Sequence, residues 1–238
     1  MQLSKIVEAR VIWGGDDTIK KFKSFETNPR CIDLTFADRF SASLINSKKL
    51  LKLKKNEFKK LANNFYNDAY TMDQFGCSSP IILFWTGKEK EIKKKFWLEV
   101  QNIVNKNYKN DLSSTNKKIS NLTFYALKEK GKFNLSFKDF NLIRLKKNDN
   151  NFQNFQNISF GTFYEIDLKN LDSLKNFTSN KLQTITYHGY NFNRLKKIIV
   201  KNKIKGIDRF VPIGRAFDLT PEWDGVDIIL TLSRTISS

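Results

Sequence analysis

The chain has 238 residues, 40% of them hydrophobic and 28% charged, enough for one large domain or two smaller ones with real cores. Two cysteines exclude a disulfide framework and suit a reducing compartment, and no apolar run is long enough to span a bilayer. The net charge of +18 comes from 42 Lys and Arg against 24 Asp and Glu, but the lysines are spread through every segment. They form no basic stripe interleaved with stacking aromatics, so nucleic-acid binding is not the expected function.

In chain order, residues 5–13 are rich in β-branched side chains and predict a buried strand. Gly14-Gly15-Asp16-Asp17-Thr18 follows and leads into a helix from residue 19 to about 25, with an aspartate of this turn as the expected cap. A glycine pair at the start of a helix lets a ligand approach free backbone N–H groups, a setting that favours phosphate; a structural turn explains the same residues. Residues 31–34 and 41–45 predict two short strands, and 46–55 a lysine-rich exposed stretch. Phe58, Leu61, Ala62, Phe65, Tyr66, Ala69 and Met72 recur every three or four residues and mark one helix.

That helix ends at Asp73-Gln74-Phe75-Gly76-Cys77-Ser78-Ser79-Pro80. The loop places a thiol among small residues, between a packed helix and an apolar strand at 81–85. Open access and nearby dipoles are what a thiolate nucleophile requires, although a lone cysteine also serves as a small buried residue. A second long helix carries Phe96, Trp97, Val100, Ile103 and Val104. Residues 110–120 predict a loop, and the mixed stretches 122–127 and 133–145 are ambiguous. The Asn- and Gln-rich stretch 148–157 predicts an exposed connection. Strands are expected near 160–166, 182–187, 207–213 and 226–232, with helices at 171–177 and 192–200, the latter ended by Gly206. Alternating strands and helices predict an α/β fold. His188, the only histidine, sits in a turn and is a conceivable acid/base group. No metal site is expected. The first residues show no signal pattern, and the expected location is the cytoplasm.

Three pieces now stand in order: Trp13-Gly14-Gly15-Asp16-Asp17-Thr18, the Cys77 loop, and the tail from Gly206-Ile207-Asp208-Arg209-Phe210-Val211-Pro212-Ile213-Gly214-Arg215-Ala216 to Trp223-Asp224-Gly225. Together they resemble the acyl-CoA reductase family of bacterial luminescence systems, within the aldehyde dehydrogenase superfamily. The resemblance implies an aldehyde-dehydrogenase-like α/β fold comprising the C-terminal part of a cofactor domain (1–74), a catalytic cysteine domain (75–213) and a C-terminal returning strand (214–238). It implies that Cys77 is the nucleophile, accepting a fatty acyl group from acyl-CoA or an acyl-protein synthetase. It further implies that Gly14 and Gly15 approach NADPH, which reduces the acyl group to a fatty aldehyde. The glutamate base of oxidising relatives has no counterpart in 32–45, where the acids are Asp33 and Asp38, and this suits a reductase. A missing N-terminal half or a second subunit is expected to complete the cofactor site. The alternative is a non-catalytic interaction subunit or remnant of such a reductase.

Overall fold

The computed structural model describes residues 2–130, 133–147, 155–234 and 236. Of the connection expected at 148–157, residues 148–154 lie outside the described residues. The chain forms two compact units, one of residues 1–39 with 219–238 and one of residues 40–218. The boundary drawn from the sequence at 74/75 therefore falls inside the larger unit.

In the smaller unit, helix α1 (Leu3–Ile6) precedes strand β1 (Ala9–Trp13), so the strand predicted over 5–13 is half that length. Helix α2 (Asp16–Lys23) connects β1 to the parallel strand β2 (Ile32–Phe36). Arg10 and Asp33 are paired in that register, and Arg10 Nε and Nη2 donate to the two Asp33 oxygens at 2.7 and 2.6 Å. Asp33 is thereby a structural partner, its carboxyl held below the usual range first by the bond from Arg10. Near the C-terminus, Glu222–Trp223 and Val226–Asp227 form a hairpin around Asp224 and Gly225, both at positive φ. Asp-Gly is the dipeptide that a two-residue turn of this kind favours. The last strand predicted over 226–232 is not present as such: the one-turn helix Ile228–Thr231 follows instead, with Asp227 accepting from the N–H of Leu230.

The larger unit is built on a seven-stranded sheet. Its elements are β3 (Phe40–Asn46), α3 (Ser47–Leu50), α4 (Lys55–Tyr70), β4 (Pro80–Thr86), α5 (Lys90–Asn107), α6 (Leu112–Lys128), β5 (Phe133–Asp139) and β6 (Leu142–Lys147). After these come β7 (Thr162–Asp167), a 3₁₀ helix (Leu171–Phe177), β8 (Leu182–His188), α7 (Phe192–Lys201) and β9 (Arg209–Pro212). The strand order is β5-β6-β7-β4-β3-β8-β9, parallel throughout except for the β5–β6 hairpin. Strand β4, PIILFWT, is an unbroken apolar run because helices cover both faces of the sheet. Leu83, Trp85 and Phe163 pack on one face against Phe58, Phe65, Phe96 and Val100 of α4 and α5. Ile82, Phe84, Tyr164 and Ile185 pack on the other against Tyr125, Leu174, Phe177 and Leu195.

Two expectations are corrected here. Residues 112–128 are one helix where a loop was expected over 110–120. Asp111 caps it by accepting from the N–H of Ser114 at 2.6 Å, and an inward position is Lys118, which breaks the apolar periodicity. The buried Lys118 ammonium donates to the carbonyls of Phe140 and Phe160, and burial pushes its pKa down to about 7. Gly206 does not end α7. The helix stops at Lys201, with Asn202 as its C-cap.

Candidate active site

Cys77 lies in the larger unit, on the connection that enters the amino end of β4. Helix α4 delivers the chain to this point, and Asp73 and Gln74 then take φ of 50° and 63°, a left-handed step that turns it back toward the sheet. Gln74 is fully buried and fixes the loop with both ends of its amide. Its Nε2 donates to Pro80 O at 3.0 Å and Thr162 O at 3.1 Å, while its Oε1 accepts from Gly161 N at 2.8 Å and Thr162 N at 3.1 Å. Asn157 Nδ2 donates to Gln74 O at 2.7 Å, and the Tyr108 hydroxyl donates to Asp73 at 2.6 Å.

On this base Cys77 is a thiol outside any disulfide, partly exposed. Its carbonyl accepts from Ser41 Oγ at 2.6 Å, which ties the nucleophile candidate to the central strand β3. The hydroxyls of Ser78 and Ser79 are buried with no hydrogen-bond partner among the described residues. Gly76 lets Phe217 and Met72 close over the loop: a Cβ there would stand 2.9 Å from the Phe217 ring and 3.3 Å from the Met72 sulfur, and both would have to shift. Met72 and Phe75 are largely exposed, so the loop carries apolar surface beside the thiol.

The far wall is the tail after β9. Asp68, buried on α4, accepts from Gly214 N at 2.6 Å and from Ala216 N at 3.0 Å, pinning the turn that leads to Phe217. Arg209 donates to the carbonyls of Arg215, Ala216 and Asp218 and stiffens the same segment. Burial lowers the Arg209 pKa, and Asp218, Asp68 and Cys77 work against that loss. Among these influences Cys77 is the smallest, after Asp218, Asp68 and the opposing Arg215.

Desolvation raises the Asp68 pKa to about 6, despite its two backbone donors. Between an unfolded value near 3.8 and that figure the native state holds the extra proton, so this carboxyl's contribution to stability falls as pH rises through the window. The Asp68→Asn variant is expected to lose that component, flattening the stability curve from about pH 4 to 7 by about 3 kcal/mol relative to wild type. Urea unfolding at a series of pH values measures it, and parallel curves for the two proteins would contradict it.

Gly14 and Gly15 lie in the smaller unit, at the turn from β1 into α2. A Cβ on Gly14 would stand 2.8 Å from the Thr18 side chain, whereas one on Gly15 would meet nothing within 4 Å. Packing thus explains the first glycine and leaves an open face at the second. The cap of α2 is Gly15, not an aspartate, and Asp16 and Asp17 both stand in the first helical turn. Two carboxylates there oppose a phosphate, contrary to the sequence expectation.

His188 is not part of the cysteine site. It ends β8 level with Ile45 and Trp85, whereas Cys77 precedes Pro80 at the opposite edge of the sheet. About five residues of strand separate the two rows, roughly 16 Å at about 3.3 Å per residue. Burial lowers the His188 pKa. Among the described residues no group of three or more His, Cys, Asp or Glu could hold a metal ion, and no helix is long and apolar enough to cross a membrane.

The family model described as acyl-CoA reductase (LuxC) matches residues 1–235. The chain belongs to that family. No curated protein matches it by sequence. By fold, the chain is similar to several dehydrogenases and to proline utilization A in solved structures. A variant of proline utilization A from Bradyrhizobium japonicum aligns at 9% identity and a TM-score of 0.58 over 87% of this chain and 23% of that one. For a variant of 1-pyrroline-5-carboxylate dehydrogenase from Thermus thermophilus, the values are 13%, 0.57, 87% and 43%. A lactaldehyde dehydrogenase gives 10%, 0.58, 87% and 45%. This chain thus spans less than half the length of these solved relatives and has the α/β architecture they share.

The cysteine and both glycines are the candidates that the sequence offers. The sequence does not single out Gln74, Asp68, Ser41 and Arg209 as the groups that hold the loop and its wall. Asp68 and Gln74 carried a signal in retrospect, as polar residues where an apolar helix face meets a glycine-bearing turn.

Proposed function

We propose that this chain carries the acyl-accepting half of a fatty acyl thioester reductase, with Cys77 as the nucleophile. The observation that supports the reading is a partly exposed thiol on a loop held by the buried Gln74 amide, in a member of the acyl-CoA reductase family. The Cys77 thiolate attacks the carbonyl of acyl-CoA or of an acyl-protein synthetase and releases the donor thiol. Met72, Phe75 and Phe217 offer apolar surface to the acyl chain. The unpartnered Ser78 and Ser79 hydroxyls are donors in reserve for the acyl oxygen, since a buried hydroxyl without a partner costs about 1–3 kcal/mol.

A bound NADPH would supply the hydride. The open face at Gly15 fits close approach by the uncharged end of such a dinucleotide, and Asp16 and Asp17 suit ribose hydroxyls better than phosphates. Groups that hold the phosphates would come from a further polypeptide segment or a second subunit. After hydride addition the C–S bond breaks, the aldehyde leaves and Cys77 returns as thiolate, a good leaving group. The Asp33 carboxylate, locked to Arg10, is not free to activate water against the acyl-enzyme.

Intact-mass analysis after incubation with a long-chain acyl-CoA or a charged synthetase tests this. The expected result is one added acyl group, mapped to the peptide containing Cys77 and removed by hydroxylamine. Acylation at Cys31 instead, or no adduct from either donor, would favour the non-catalytic interaction subunit.

A further inference from the structure

At the carboxyl edge of the sheet, remote from Cys77, a cavity of about 940 Å³ opens at the ends of β3, β4 and β7. Eight of its fifteen lining residues are Lys or Arg and three are Asp or Glu, a surplus of five positive charges in one concavity. We infer that this cavity is a second binding site, separate from the cysteine site, for a small ligand carrying two or more phosphate groups.

The acids present do not neutralise the site; they arrange it. Glu165 is buried on the floor, where its Oε1 accepts from the indole N–H groups of Trp85 and Trp97 at 2.9 and 2.8 Å. Its Oε2 faces Arg144 at 3.2 Å and Lys146 at 3.4 Å. Arg144 also lies over the Trp97 ring, 5.4 Å from its centre, and donates to Ser136 Oγ at 2.7 Å. Lys93 is fixed between Asp167 and the Gly87 carbonyl. One carboxylate thus presets two cations, and four further lysines, Lys48, Lys88, Lys90 and Lys169, have no carboxylate within ion-pair distance among the described residues.

Position supports the assignment. Open parallel sheets take their ligands outside the carboxyl ends of the strands. Here Gly87, at φ +92°, follows β4, and residues 87–90 line the cavity up to the start of the eighteen-residue helix α5, whose N-cap residue Glu89 accepts from Ser47 Oγ at 2.5 Å. The volume lies within the range of small-molecule sites, and the concave form suits a compact anion better than a flat acidic protein surface. Clustered like charges held in a cleft also raise the local concentration of oppositely charged ligands.

Titration calorimetry of the chain at about 0.15 M ionic strength, where exposed charges are well screened, tests the site with inorganic tripolyphosphate and ATP. Saturable 1:1 binding is expected. It should weaken by about tenfold or more in Lys88→Ala/Lys90→Ala/Lys169→Ala, equal to about 1.4 kcal/mol. It should be nearly unchanged in Lys55→Ala/Lys59→Ala/Lys60→Ala, which removes the same charge from exposed positions of α4. Tighter binding of ATP than of tripolyphosphate assigns the phosphates to a nucleotide, and equal binding assigns them to free polyphosphate. Absence of saturable binding, equal loss in both triple variants, or equal affinity for an oligoglutamate of the same charge would overturn the proposal. These readouts do not involve Cys77, so they stand or fall apart from the reductase reading.

Discussion

Replacing Cys77 with serine is expected to lower acyl transfer to the protein by roughly 10³-fold or more, with the fold unchanged. Serine is nearly isosteric, the side chain is partly exposed, and the bond from Ser41 to the residue 77 carbonyl involves only the backbone of that residue. What changes is the acidity of the attacking group. A thiol ionises near pH ~8.5, so it reaches its nucleophilic anion far more readily than an alcohol does. Cys77 has no histidine beside it to act as a base for a hydroxyl, His188 being at the other edge of the sheet. Acyl transfer from labelled acyl-CoA, followed alongside the thermal melting curve, measures both halves of the expectation. A serine variant that labels at the wild-type rate would remove Cys77 from the chemistry.

The parts of the fold that a linear reading recovers are those whose physics is local. Strand β4 is an uninterrupted apolar run, and α4 and α5 show their buried faces at regular spacing, so their positions follow from side-chain type alone. Where a non-local partner decides the outcome, the reading fails. Lys118 occupies an inward helical position because two carbonyls, at Phe140 and Phe160, lie opposite it. Residues 228–231 are apolar and read as a strand, yet Asp227 caps them into a helical turn. The thiol itself was legible from its glycine and serine neighbours. The basic cavity was not, because its cations come from β6, from α3 and α5, and from the turns after β4 and β7, and in the sequence they merge with a lysine-rich background.

Gln74 shows the same limit with a larger energy attached. Nothing nearby in sequence explains a glutamine in the left-handed region, and two of its partners, Gly161 and Thr162, lie 87 and 88 residues away. The Gln74→Leu variant keeps much of the volume but removes two donors and two acceptors from a site without solvent. Thr162 N–H retains a contact to Ser159 O at 3.2 Å, which spares part of the loss. An unsatisfied buried group costs about 1–3 kcal/mol, so the expected destabilisation is about 3 kcal/mol or more, at the upper end for a single substitution. A bulky apolar residue at positive φ adds strain in the same direction. The variant should also speed alkylation of Cys77 by a neutral probe below the unfolding transition, since the latch between the cysteine loop and residues 157–162 is what holds the loop still. Urea unfolding and iodoacetamide kinetics, read together, decide the matter. A loss under about 1 kcal/mol with unchanged alkylation would show that the bonds from Asn157 to the Gln74 carbonyl and from Phe160 to the Asp73 carbonyl suffice to fix the loop without the amide.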